Sequence, residues 1–142
     1  MTLIPKYRIL YLVIAMAILG GCENVIGFHS KSKLDQNIGG TWEVLVRPVS
    51  DPIKAPIEED WIMGGGVFYV VKNTGSVVDT FYTGGYAIDA SLSKSFLVLV
   101  NVDPLNTELE ARWEILELNT KVCRIARTYG GGGVATYEFQ KK

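Results

Sequence analysis

From Thr41 onward the apolar positions recur with a period of two. Trp42, Val44 and Val46 fall on one side of the repeat, against Glu43, Leu45 and Arg47 on the other, the pattern of a strand with one apolar face. Residues 67–72 are β-branched and aromatic, Asn73-Thr74-Gly75 is a turn signal, and 77–83 follows as a partner strand. Gly84-Gly85 reads as a second tight turn, leading into a strand at 86–89. Residues 90–93 turn again before 96–102, which is apolar on both faces and ends at Asp103-Pro104-Leu105-Asn106. In 109–118 Leu109, Ala111, Trp113 and Ile115 alternate with Glu110, Arg112 and Glu114. Asn119-Thr120 turns into 121–128, and a loop at 130–133 leads to the last strand, 134–140. The count is eight strands joined mostly by tight turns, with no helix-period stretch after the N-terminal segment. An all-β fold follows, an eight-stranded antiparallel up-and-down barrel, because closure removes the unpaired edges of such a meander. A β-sandwich is the alternative, but Greek-key crossings need longer connections than most of these turns.

The N-terminal pattern is different. Residues 1–8 carry Lys6 and Arg8, 9–19 are apolar without interruption, and Gly20-Gly21-Cys22 follow. A basic start, a short apolar run and small residues before a cut site are the parts of a secretory signal. A bilayer-spanning helix needs about 20 apolar residues, more than this run supplies. The string Leu19-Gly20-Gly21-Cys22 resembles the lipobox of bacterial lipoproteins. That resemblance implies removal of residues 1–21, acyl lipid on Cys22, and attachment to a membrane. Glu23 stands where Asp resembles an inner-membrane retention signal in enteric bacteria, so the resemblance leans to the outer membrane. Residues 22–36 then read as the lipidated cysteine and a polar tether, with the barrel domain over 37–142. A flexible tether of that length reaches about 20 Å on average.

Composition changes this picture only by exclusion. Without residues 1–21 the chain keeps 12 of its 14 basic residues against 15 acidic ones, a net charge of about −3. Nucleic acid, which needs a basic patch, is not an expected partner. With Cys22 lipidated, Cys123 is the only remaining thiol, and its apolar setting reads as core. The single histidine, His29, falls in the tether, so no Ser-His-Asp or Cys-His set can be built rigidly in the domain, and no metal or other cofactor is expected.

Gly40-Thr41-Trp42 on the first strand resembles the G-x-W signature of lipocalins. Gly85-Tyr86-Ala87-Ile88, the apolar 96–100, Arg112-Trp113-Glu114-Ile115-Leu116-Glu117-Leu118 and the final Tyr137-Glu138-Phe139-Gln140-Lys141 resemble the small lipocalin-like lipoproteins of Bacteroidetes. The resemblance covers residues 40–142. It implies that Trp42 packs across the barrel floor with a late-strand arginine, Arg127 or Arg124, lying over its ring.

One long connection, 48–60, contains Pro48, Pro52 and Pro56 and ends in Glu58-Glu59-Asp60. It sits where a lipocalin's first loop covers the barrel mouth. One reading is a lid, with Ile57, Trp61 and Ile62 touching an apolar ligand; the other is an exposed connection whose Trp61 packs on the rim. The acidic run lacks calcium-loop spacing, and the runs at Gly64-Gly65-Gly66 and 130–133 lack a phosphate-loop pattern. Asp79 shares a strand with Val77 and Phe81: facing inward it would need a partner such as Arg112 or Arg124, facing outward it is surface. The expected function is therefore non-catalytic: an outer-membrane lipoprotein with an accessory or scaffold role in an envelope assembly. Binding of a small apolar or amphipathic ligand in the barrel is one alternative, and inhibition of a hydrolase by a loop is another.

Overall fold

The computed structural model describes residues 30–48, 58–74 and 77–142; the signal segment, Cys22, His29 and Ile57 lie outside them. One short helix, α1 (Lys31–Ile38), precedes eight strands: β1 (Gly40–Val46), β2 (Glu59–Gly64), β3 (Val67–Thr74), β4 (Val77–Ala90), β5 (Ser95–Asp103), β6 (Arg112–Leu118), β7 (Val122–Thr128) and β8 (Val134–Lys141). Each strand pairs antiparallel with its neighbours in sequence, and β1 pairs with β8, which closes the barrel in the order β1 to β8. The expected up-and-down barrel is the fold.

Alternate residues fill the interior, as strand geometry requires. Trp42 and Val44 enter from β1, Trp61 and Met63 from β2, Phe68 and Val70 from β3, Leu97 and Leu99 from β5, and Tyr137 and Phe139 from β8. Shear and curvature come from register shifts, one of which, in β4, sets Val70 against Tyr82 but Val71 against Thr80, leaving Phe81 as the extra residue.

Three elements differ from the sequence expectation. Residues 31–36 are not tether: they begin α1, which places Leu34 and Ile38, one turn apart, in the core. The Ser30 side chain accepts a hydrogen bond from the Lys33 amide at the start of the helix. A strand, β2, stands where the long loop and its lid were expected to end; its pairing with β1 and β3 runs through Trp42↔Trp61 and Trp61↔Val70. Gly84-Gly85 is not a turn, because β4 runs unbroken through it. A Cβ on Gly84 would stand 2.7 Å from the Phe68 ring and 2.8 Å from the Val100 carbonyl oxygen, so that glycine is a close-packing position. In addition, β6 begins at Arg112, while Leu109 belongs to a turn ahead of it, held by its amide and that of Glu108 donating to Asn106 Oδ1.

Candidate functional site

The two ends of the barrel are built differently. At the end where β1 begins, α1 closes the interior, packing against β4 and β6. The last carbonyls of a helix have no partner within it. Here Trp42 Nε1 donates to the Ile38 carbonyl at 2.6 Å, and Lys141 Nζ donates to the Asn37 carbonyl at 3.0 Å. The same Lys141 nitrogen stands 5.0 Å over the Trp42 ring. Gly40 makes this possible: its φ is +124°, and a Cβ there would lie 2.6 Å from Lys141 Cε.

The cation over Trp42 was expected to be Arg127 or Arg124, and it is neither. Arg127 lies over Tyr129 at 5.1 Å and donates to the Glu108 carbonyl, at the far end of β7. Arg124 faces outward between Glu117 and Glu138. In an antiparallel barrel the end of β8 returns beside the start of β1, which sets Lys141 opposite Trp42, whereas Arg127 lies at the mouth end of β7 and Arg124, nearer the floor, points outward.

The mouth holds the interior charge. Glu59, the first residue of β2, turns its side chain inward with Trp61 and Met63. Its Oε1 accepts from Trp61 Nε1 at 2.8 Å, and its Oε2 accepts from Arg47 Nη2 in an ion pair whose two side chains are each only 10% exposed. Arg47 follows the last residue of β1, so the pair joins the two ends of the 48–58 connection. Lys72 stands opposite Glu59 in the β2–β3 register.

Below this polar group the rings are continuous. Trp61 meets Phe68 at 5.9 Å, Tyr137 at 5.2 Å and Phe139 at 4.9 Å between centroids, and Tyr137 meets Trp113 at 5.3 Å. On the far side of the mouth Leu109 folds inward, and its carbonyl accepts from Trp113 Nε1 at 3.1 Å. Trp61 is therefore neither lid nor rim but the fully buried centre of the cluster, which corrects the expectation for it. Ile62, its neighbour, points outward and is 38% exposed. Asp79 is exposed, the surface alternative for that residue.

Chemically the site can hold and neutralise a carboxylate; among the described residues it shows no nucleophile with a base beside it. Cys123 is buried on β7, where burial first, and the Glu117 charge second, pushes its thiol up from 9.0 to about 12. A thiol so shifted is not a nucleophile near neutrality. Among the described residues no three His, Cys, Asp or Glu side chains stand together as a metal site. The Glu59 ion pair is the candidate-site feature that the sequence reading missed. The signal available was its position: it lies two residues before a tryptophan on the same face of a strand.

No protein-family model and no curated protein matches the chain. Among solved structures it is similar to a lipocalin-like protein from Bacteroides uniformis, with 14% identity, a TM-score of 0.50, and coverage of 75% of this chain and 99% of the other. It is also similar to an uncharacterized protein from Bacteroides eggerthii, with 15% identity, a TM-score of 0.48, and coverage of 73% of this chain and 98% of the other. At this identity the first likeness is one of fold, and together with the strand order it identifies the domain as a lipocalin-like closed β-barrel.

Proposed function

We propose that the chain is an exported lipoprotein, anchored in the outer membrane through acyl lipid on Cys22, and that its barrel serves a cell-envelope assembly as a non-catalytic accessory or scaffold. The observation that carries the non-catalytic part is the occupied interior. Linked rings from β2, β3, β6 and β8 occupy the interior, and α1 closes one end. A barrel built this way offers partners its outer surface. The anchor rests on the lipobox resemblance at Leu19-Gly20-Gly21-Cys22. The experiment for it is Cys22→Ser: the variant is expected in the soluble fraction of its native cells, and unchanged membrane retention would contradict the anchor.

The Glu59–Arg47–Trp61 group favours a second reading. A charged pair at the top of an apolar interior suits the polar end of a small amphipathic ligand seated at the barrel mouth. It differs from the first reading in requiring a bound small molecule.

A further inference from the structure

The barrel's outer wall is divided by charge. On β4 to β8 the outward positions form ion pairs: Arg112 with Asp89, Lys94 with Glu114, and Arg124 with both Glu117 and Glu138. Across β2 to β5 the register lines up a different set. Ile62 stands against Tyr69 and Tyr69 against Thr83; beside them Val67 stands against Gly85, Gly85 against Val100, and Ala87 against Val98. None of these positions is charged, although the Tyr69–Thr83 row ends on exposed Asp103 at the mouth end and the Ala87–Val98 row on Arg112; the large side chains are open to solvent: Ile62 38%, Val67 39%, Tyr69 44% and Val100 41%. A contiguous exposed apolar patch on a small domain marks a contact surface.

The course of the chain indicates what covers it. Val67 lies at the Gly65-Gly66 turn between β2 and β3, the end of the barrel that α1 closes. Gly39, immediately after α1, approaches the Met63 carbonyl of the same hairpin, with 3.9 Å from its Cβ position. Only residues 23–29 separate Cys22 from Ser30 at the start of α1. That length of chain spans at most about 30 Å even fully extended. On the lipoprotein reading, lipid on Cys22 would hold the α1 end of the barrel near the bilayer, and the apolar patch begins at that end. Tyr69, with an apolar ring and a polar tip, is the residue type that settles at headgroup depth.

We propose that the β2–β5 wall, through Ile62, Val67, Tyr69 and Val100, lies against the lipid surface in which Cys22 is anchored. This rests on the lipoprotein reading above. It orients the domain on its side, with the ion-paired wall turned to the aqueous compartment.

The test uses the lipidated full-length protein in phosphatidylethanolamine and phosphatidylglycerol vesicles containing a spin-labelled lipid quencher. A fluorophore is placed on Val67→Cys or, on the ion-paired side, on Leu116→Cys; buried Cys123, with its thiol pushed up to about 12, stays unlabelled. Flotation with the vesicles reads the anchor separately. If both variants float and lipid quenches the Val67→Cys label strongly but the Leu116→Cys label little, the wall lies on lipid. Equal quenching at the two positions overturns the orientation while leaving the anchor intact. A Val67→Cys label shielded from water yet untouched by the lipid quencher means that protein covers the wall, and overturns it also. Failure of both variants to float overturns the anchor and the orientation together.

Discussion

Lys141 and Trp42 are 99 residues apart in number, yet together they finish α1 by taking the carbonyls of Asn37 and Ile38. Removing Trp42 leaves a core void and an unsatisfied helix end. Trp42→Ala is expected to cost about 3–5 kcal/mol, read as a lowered urea midpoint at unchanged slope. A near-neutral result would contradict the closed-end assignment. The aromatic half of this contact was legible in Gly40-Thr41-Trp42. Its cation was not, because which late basic residue reaches the floor depends on where β8 ends, and four basic residues after position 123, Arg124, Arg127, Lys141 and Lys142, compete on paper.

Cys123 makes a second prediction at this scale. The unfolded chain releases the thiol proton near 9.0, while the folded chain holds it to about 12. The raised folded value means that its contribution to stability is whole below pH 9 and is lost as pH rises towards 12. Wild type and Cys123→Ala should therefore differ in denaturation midpoint most below pH 9 and progressively less above it. A gap between them that stays constant through that window would show that burial does not shift the thiol.

At the scale of elements, the strand count agreed for offsetting reasons. The sequence reading missed β2 and divided β4. In β2 the inward face opens with a charge, Glu59, while the outward face carries Ile62, so polarity and burial do not coincide and the alternation is masked. Arg47, supplied from across the loop, and Trp61 Nε1 make an inward Glu59 tolerable, and the Arg47 partner is invisible in a local window. In β4 the paired glycines mimic a turn, and only the Phe68 ring over Gly84 explains them. The helix was missed because it is short: its two core contacts, Leu34 and Ile38, are the minimum an i, i+4 pattern can show. That difference is testable. A tether residue could change with an effect within about 0.5 kcal/mol. Leu34→Ala is instead expected to cost about 2–5 kcal/mol in chemical denaturation, because a leucine 1% exposed leaves a cavity. A value within the surface range would return 31–36 to the tether.

For the molecule as a whole, closure of the sheet was readable because turn spacing and the near absence of long connections leave few topologies. Whether the barrel was hollow was not readable, since that depends on which aromatics face in. Trp61, Phe68, Trp113, Tyr137 and Phe139 all do, while Tyr69 and Phe81 face out. That division puts a continuous ring cluster inside the barrel, with the Arg47–Glu59 ion pair above it, and leaves an apolar patch on the outer wall. The central claim, that the surface and not the interior does the work, is tested most directly by native mass spectrometry of the lipidated protein purified gently from its own cells. The account predicts the chain beginning at Cys22 with its acyl lipid and no further small molecule, alone or with an envelope protein. A small molecule bound at fixed stoichiometry, and released when Arg47 or Glu59 is substituted, would contradict it and make the barrel mouth a binding site.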